Sequence, residues 1–199
     1  MLNILKENLE NNGYKVSVFE SKEDATNYLN SVINEKTVGI GGSVSVSELN
    51  LYETLKTHNN VIWHLKTEKE KVFETRILST RAEIYLSSVN AISLNGEIVN
   101  IDATGNRVSA TTFGPSKVYF IIGKNKITNT LEEAVYRARN VASPLNAKRL
   151  NLKTPCAVNG DKCYNCNSPQ RICKALSIFL KAPTGSEYEV ILVNDNLGF

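Results

Sequence analysis

Leu2, Leu5 and Leu9 recur at helical spacing and the pattern stops at Gly13, which predicts a first amphipathic helix. Val16 and Val18 alternate with polar neighbours as a short strand. Ser21 followed by Asp24 reads as a capping box, and Ala25, Tyr28, Leu29, Val32 and Ile33 then follow at helical spacing. Val38-Gly-Ile40 is an apolar strand running into Gly41-Gly42-Ser43, after which Ser45 to Glu48 can cap a helix carrying Leu49, Tyr52 and Leu55. Val61-Ile-Trp63, Ile84-Tyr-Leu86, Val118 to Ile122 and Tyr188 to Val193 are further strands. Between them lie a charged helix within 68–81 and a helix with Leu131, Ala134, Val135 and Ala138 on one face. Leu94-Asn-Gly-Glu97 has the turn chemistry of a tight reversal.

Strands alternating with helices imply βαβ units, and so an α/β fold: a mostly parallel sheet with helices on both faces. The pattern loses this regularity over 144–180, where prolines, polar turn residues and all four cysteines gather. That stretch reads as a small, loop-rich, cysteine-rich insertion in a single domain spanning 1–199, too small to fold by itself without a metal.

Composition narrows the picture only slightly. The chain has 199 residues, 42% hydrophobic and 22% charged, enough for a buried core without disulfide staples. A net charge of +3 gives no global reason to expect nucleic acid or an anionic membrane, so any basic site must be local. No apolar run reaches the ~18 residues of a spanning helix, and the first ten residues lack the features of a signal peptide. The expectation is a cytoplasmic protein with reduced cysteines.

Three segments carry chemistry. The first is Gly39-Ile-Gly41-Gly42-Ser43-Val-Ser45, where a strand enters a glycine turn and a helix start. Glycines let an anion approach the backbone, and Ser43 and Ser45 add hydroxyls. No Gly-Lys-Ser/Thr follows, and Val44 stands where a dinucleotide loop needs its third glycine, so the segment also reads as a tight turn with a serine cap. The second runs from Leu86 to Arg107, where Asn90, Asn100, Asp102, Asn106 and Arg107 follow strand ends. In parallel sheets ligands bind there, and Arg107 suits a carboxylate or phosphate, although each Asn could equally serve a turn and Asp102 pair only with Arg107. The third is Cys156-x6-Cys163-x2-Cys166-x6-Cys173. Four thiolates can hold zinc or an iron–sulfur cluster, and this spacing does not choose between them. His58 and His64 have no carboxylate spaced for a dyad and read as surface or packing residues; of Lys124 and Lys126, one could face the anion site.

Taken in order, these segments resemble the lactate-utilization (LUD) domain family. The likeness rests on Val38-Gly-Ile-Gly-Gly-Ser43, Ser87-Ser-Val-Asn-Ala-Ile92, Gly96-Glu-Ile-Val-Asn-Ile-Asp102, Gly105-Asn-Arg-Val108 and Phe113-Gly-Pro115. It continues through Ile122-Gly-Lys-Asn-Lys-Ile127, Ala142-Ser-Pro-Leu-Asn146, Thr154-Pro-Cys156, Cys163-x-x-Cys166, Arg171-Ile-Cys173 and Leu197-Gly198. The resemblance implies a Rossmann-like fold similar to the sugar-isomerase and CoA-transferase superfamily, with a ligand cleft at the strand ends lined by the loops matching Gly41–Ser43 and Ser88–Asn90. It also implies a place in the oxidation of L-lactate to pyruvate beside iron–sulfur partner subunits. Many relatives carry Glu where this chain has Leu94, so no carboxylate role transfers to that position, and the chain is expected to stand alone, without the ferredoxin-like tail of larger subunits.

The reading is therefore a component of organic-acid utilization. A small anionic metabolite or nucleotide-like ligand would lie among Gly41, Gly42, Ser43, Ser45, Asn90, Asp102, Asn106 and Arg107, and Cys156, Cys163, Cys166 and Cys173 would hold a metal centre. The rival is a non-catalytic sensor or assembly subunit, monomeric or self-associating, with a structural zinc. The sequence alone does not decide whether the chain turns over a substrate by itself.

Overall fold

The longest apolar runs become the middle of a parallel sheet. In the computed structural model, which describes residues 1–199, α1 (Leu2–Asn11) leads to β1 (Lys15–Phe19), α2 (Lys22–Val32) and β2 (Thr37–Ile40). Two single-turn helices, α3 (Val44–Glu48) and α4 (Leu51–Leu55), precede β3 (Asn60–Trp63), and α5 (Val72–Thr80) returns the chain to β4 (Ile84–Ser87). A hairpin of β5 (Ala91–Ser93) and β6 (Ile98–Asp102) follows, then α6 (Asn106–Thr112), β7 (Lys117–Gly123) and the short β8 (Ile127–Thr128). The remaining elements are α7 (Leu131–Arg137), α8 (Ser143–Arg149), α9 (Pro155–Asn159), β9 (Ala175–Phe179) and β10 (Glu187–Val193).

Six strands form one sheet in the order β1-β10-β7-β4-β2-β3, parallel throughout. Strand periodicity divides its core in two. Tyr119 and Ile121 of β7 pack with Leu29, Leu51 and Leu55 of α2 and α4, while Val118, Phe120 and Ile122 pack with Leu5 and Leu9 of α1 and Ala110 of α6. At roughly 1.5–3 kcal/mol per buried apolar side chain, this burial is what holds α3 and α4, which at five residues each are too short to persist alone. Glu189 is buried between β1 and β7, and it is offset by Lys15 at 3.2 Å and Lys117 at 3.1 Å, a pairing internal to the sheet.

A second sheet, β8-β5-β6-β9, is mixed: β6 runs antiparallel to β5 and β9, and β8 runs parallel to β5. The tight reversal expected at Leu94–Glu97 is the β5–β6 hairpin, with Gly96 in the left-handed region at φ 91°. Ile92 and Ile98 join the core beneath the large sheet, and Ala91, Val99 and Ile101 pack against Ala134 and Ala138.

Three expectations change. The helix after the glycine turn is capped by Ser43, not Ser45, and breaks at Asn50, whose φ of 51° is left-handed. The loss of pattern at 144 does not end the helix: Pro144 lies near the start of α8, which continues α7 through a π-helical turn, Ala138–Ala142. That wider turn accommodates the missing proline N–H, and Ser143 Oγ bonds the Ala138 carbonyl at 2.8 Å. At the other end of the segment, Ala175–Phe179 is β9, held in register by β6, so the longest irregular stretch shrinks to 160–174.

Candidate functional site

Because the six strands run the same way, their carboxyl ends share one edge, and the loops leaving them meet there. After β2 come Gly42, Ser43 and Val44; after β3, His64; after β4, Ser88 to Asn90; after β7, Lys126; and after β10, Phe199. Strand order reverses between β2 and β4, since β3 lies outward of β2 while β7 and β10 follow inward from β4. The crevice opens at that reversal, the position where such sheets bind ligands. The cavity there has a volume of about 200 Å³. Six expected residues line it: Gly42, Ser43, Asn90, Asp102, Asn106 and Arg107. Ser45 lines an adjoining recess of about 60 Å³.

Arg107 occupies the wall as a structural hub. Its Nη1 donates to the Ser88 carbonyl and Asn100 Oδ1, both at 3.3 Å, and its Nη2 to the Ile101 carbonyl at 2.6 Å and Asn90 Oδ1 at 3.4 Å. Four of its five donors are therefore spent on the protein. Asp102 is occupied in the same way. Its carboxylate accepts backbone N–H groups from Ala103, Thr104, Arg107 and Val108 at 2.7–3.3 Å, while its ion pair with Arg107 is long, at 4.0 Å. Asp102 thus caps the start of α6 more than it neutralises Arg107. Asn90 Oδ1 accepts from Ile101 N at 2.8 Å, which ties the β4 exit loop to β6. Asn100 is buried behind Arg107.

The glycine turn is shaped by its neighbours. A Cβ on Gly41 would lie 3.0 Å from both Arg107 Cγ and the Tyr85 hydroxyl, so a larger residue would have to push them aside by a few tenths of an ångström. Gly41 itself does not line the cavity. Ser43 Oγ accepts from Val46 N at 3.3 Å, which consumes part of the anion-binding capacity expected of this turn. Positive charge in the cleft comes from side chains instead.

Of those side chains the sequence offered Arg107 and, as one of two lysines after a strand end, Lys126; it did not single out Arg76 and Arg149. Lys126 forms the floor of the recess, with Nζ donating to Ser45 Oγ and Ser88 Oγ, both at 2.8 Å, and to the Val89 carbonyl at 3.0 Å. Desolvation, with Arg137 and Arg107 nearby, lowers its pKa to about 7. Arg76 of α5 and Arg149 of α8 complete the rim, and Arg149 is braced by Asn146 Oδ1 at 2.8 Å. His64, expected to be a surface or packing residue, is buried in the cavity wall, where its Nδ1 has no partner. Burial, then the Arg76 charge, hold its pKa down to about 4 against an opposing pull from Asp102. The signal available for both His64 and Lys126 was position, one and three residues past a strand's carboxyl end.

The four cysteines do not come together. No three His, Cys, Asp or Glu side chains stand where they could share an ion. Cys156 Sγ faces Thr154 Oγ1 at 3.3 Å, Cys163 Sγ accepts from Asn165 N at 3.3 Å, and Cys173 packs on the Ala91 cluster. Arg171 holds this stretch instead, bonding the carbonyls of Cys166 at 2.8 Å and Cys173 at 2.9 Å. As arranged, the thiols do not form a zinc tetrahedron.

Among known proteins, a family model described as the LUD domain matches residues 2–193. No curated protein matches the chain. The fold is similar to that of a DUF162 family protein from Deinococcus radiodurans whose crystal structure is known, with a TM-score of 0.55 and 13% identity over 97% of this chain and 96% of that one. At that identity the likeness shows the fold alone. No helix is long and apolar enough to cross a membrane.

Proposed function

The chain belongs to the LUD-domain family, and from that premise we propose that it serves organic-acid utilization, the conversion of L-lactate to pyruvate, by holding a small carboxylate in the cleft at the strand ends. The observation that carries this reading is an imbalance of charge. Arg76, Arg107, Arg149 and Lys126 line the cleft and its recess, and against them stands Asp102, whose oxygens are taken by backbone amides. Cations gathered in a partly desolvated crevice favour an anionic guest. A cavity near 200 Å³ suits a small metabolite rather than a dinucleotide. Electron transfer would fall to iron–sulfur partner subunits, and no step is assigned to the chain's own cysteines.

Binding by L-lactate, pyruvate and the neutral analogue lactamide tests the proposal by isothermal titration calorimetry. Both acids should bind, and the amide should bind at least tenfold more weakly, the difference of one charge-assisted contact. Equal binding of the amide would remove the anion from the reading. Reconstitution with partner subunits then separates an enzyme component, which raises lactate oxidation, from a sensor, which binds the acid without affecting turnover.

A further inference from the structure

The recess behind the cleft holds a cation with no ion-pair partner. Lys126 is 3% exposed, no Asp or Glu side chain forms an ion pair with it, and its three partners are two hydroxyls and a carbonyl. The charged groups facing it are Arg107 from α6, Arg137 from α7, Arg149 from α8 and Glu48 from the end of α3. Arg137 does not supply the missing charge either, since its guanidinium bonds the carbonyls of Asn125, Asn90 and Phe199. Removing an ammonium from water costs several kcal/mol unless a partner repays it, and three cations around one recess make that cost larger. The space beside Lys126, about 60 Å³, admits one small group and no more. Asn90, Asn146 and Arg149 line the recess and the main cavity alike, so the two are continuous.

We infer that Lys126 is the seat of the ligand's carboxylate, and that it takes up a proton from solvent as the acid binds. In the free protein the amine is close to half-protonated at neutral pH because burial and the neighbouring arginines disfavour its charge. A carboxylate entering the recess reverses that balance: the amine gains one proton, the carboxylate stays ionised, and one N–H of the ammonium leaves its protein partner for the carboxylate while the others go on donating to the acceptors around them. Lysine suits this role better than arginine, because a buried ammonium gives up its charge and a guanidinium does not. The inference rests on the cleft being an organic-acid site and adds which residue receives the acid and in what protonation state.

Calorimetry of the full chain with L-lactate and with sulfate, in two buffers of different ionisation enthalpy at each pH, tests it. Lactate binding should take up close to half a proton at pH 7, close to one at pH 8.5 and almost none at pH 5.5. Lys126→Met, checked for folding by its unfolding transition, should bind lactate roughly tenfold more weakly or worse and lose the uptake. Lactate binding to the wild-type chain without pH-dependent uptake would overturn the role of Lys126 while leaving the cleft reading intact, and that outcome does not depend on the variant folding. Uptake with sulfate but no binding of lactate would overturn the carboxylate assignment. Failure of the folded wild-type chain to bind either anion would overturn the cleft reading and this inference with it.

Discussion

Arg107 changes meaning once its donors are traced. As a residue in a polar segment it invites an anion, yet its guanidinium bridges the Ser88 and Ile101 carbonyls and the Asn90 and Asn100 amides. Removing it strands several buried acceptors at once, which is costlier than losing a bond to water. Arg107→Ala should therefore destabilise the fold by about 3 kcal/mol in urea denaturation, with loss of ligand binding as a consequence. A variant of unchanged stability would return Arg107 to a purely ligand-facing role. Arginine's preference for planar oxyanions was readable from residue type. That protein carbonyls would take its donors was not, because Ser88 and Ile101 reach it only through the packing of α6 against β4 and β6.

At the scale of elements, regular spacing was a good guide and its absence a poor one. The helix at Ala25–Ile33 and the strand at Val118–Ile122 formed where periodicity placed them. Pro144 and the cysteines suggested loop over 144–180, but tertiary packing continued the helix through a π turn and drew Ala175–Phe179 onto β6. What remains irregular, 160–174, holds three of the four thiols with no strand or helix to fix them. All four cysteines are unpaired and partly exposed. In chelator-treated, reduced protein all four should react with a thiol reagent without denaturant, counted by mass spectrometry. Protection of the set on adding zinc, or inorganic sulfide in protein purified without oxygen, would show that the segment refolds around a metal.

Across the whole molecule, the same burial that makes the cleft makes stability depend on pH. His64 has a folded pKa near 4, below its unfolded value near 6.5. The unfolded chain therefore binds the extra proton first as pH falls. His64's contribution is complete above pH 6.5 and is lost progressively toward pH 4. Wild-type protein should lose about 2 kcal/mol between pH 6.5 and 5, and His64→Gln should show a flatter profile over that window in urea melts. Equal slopes would mean that His64 is solvated in the free protein.

The alternation of strands and helices, the parallel sheet and the β5–β6 reversal were determined by the sequence locally, since spacing, glycine and caps act within a few residues. So was the set of polar residues at strand ends from which Gly42, Ser43, Asn90, Asp102 and Asn106 came together in one cavity. Only the tertiary structure decided which charges are free and which are spent. Lys126 became a buried cation without an ion-pair partner because Ser45, Ser88 and Val89 reach it across 81, 38 and 37 residues of chain. Desolvation is a property of such distant neighbours, and no local pattern encodes it.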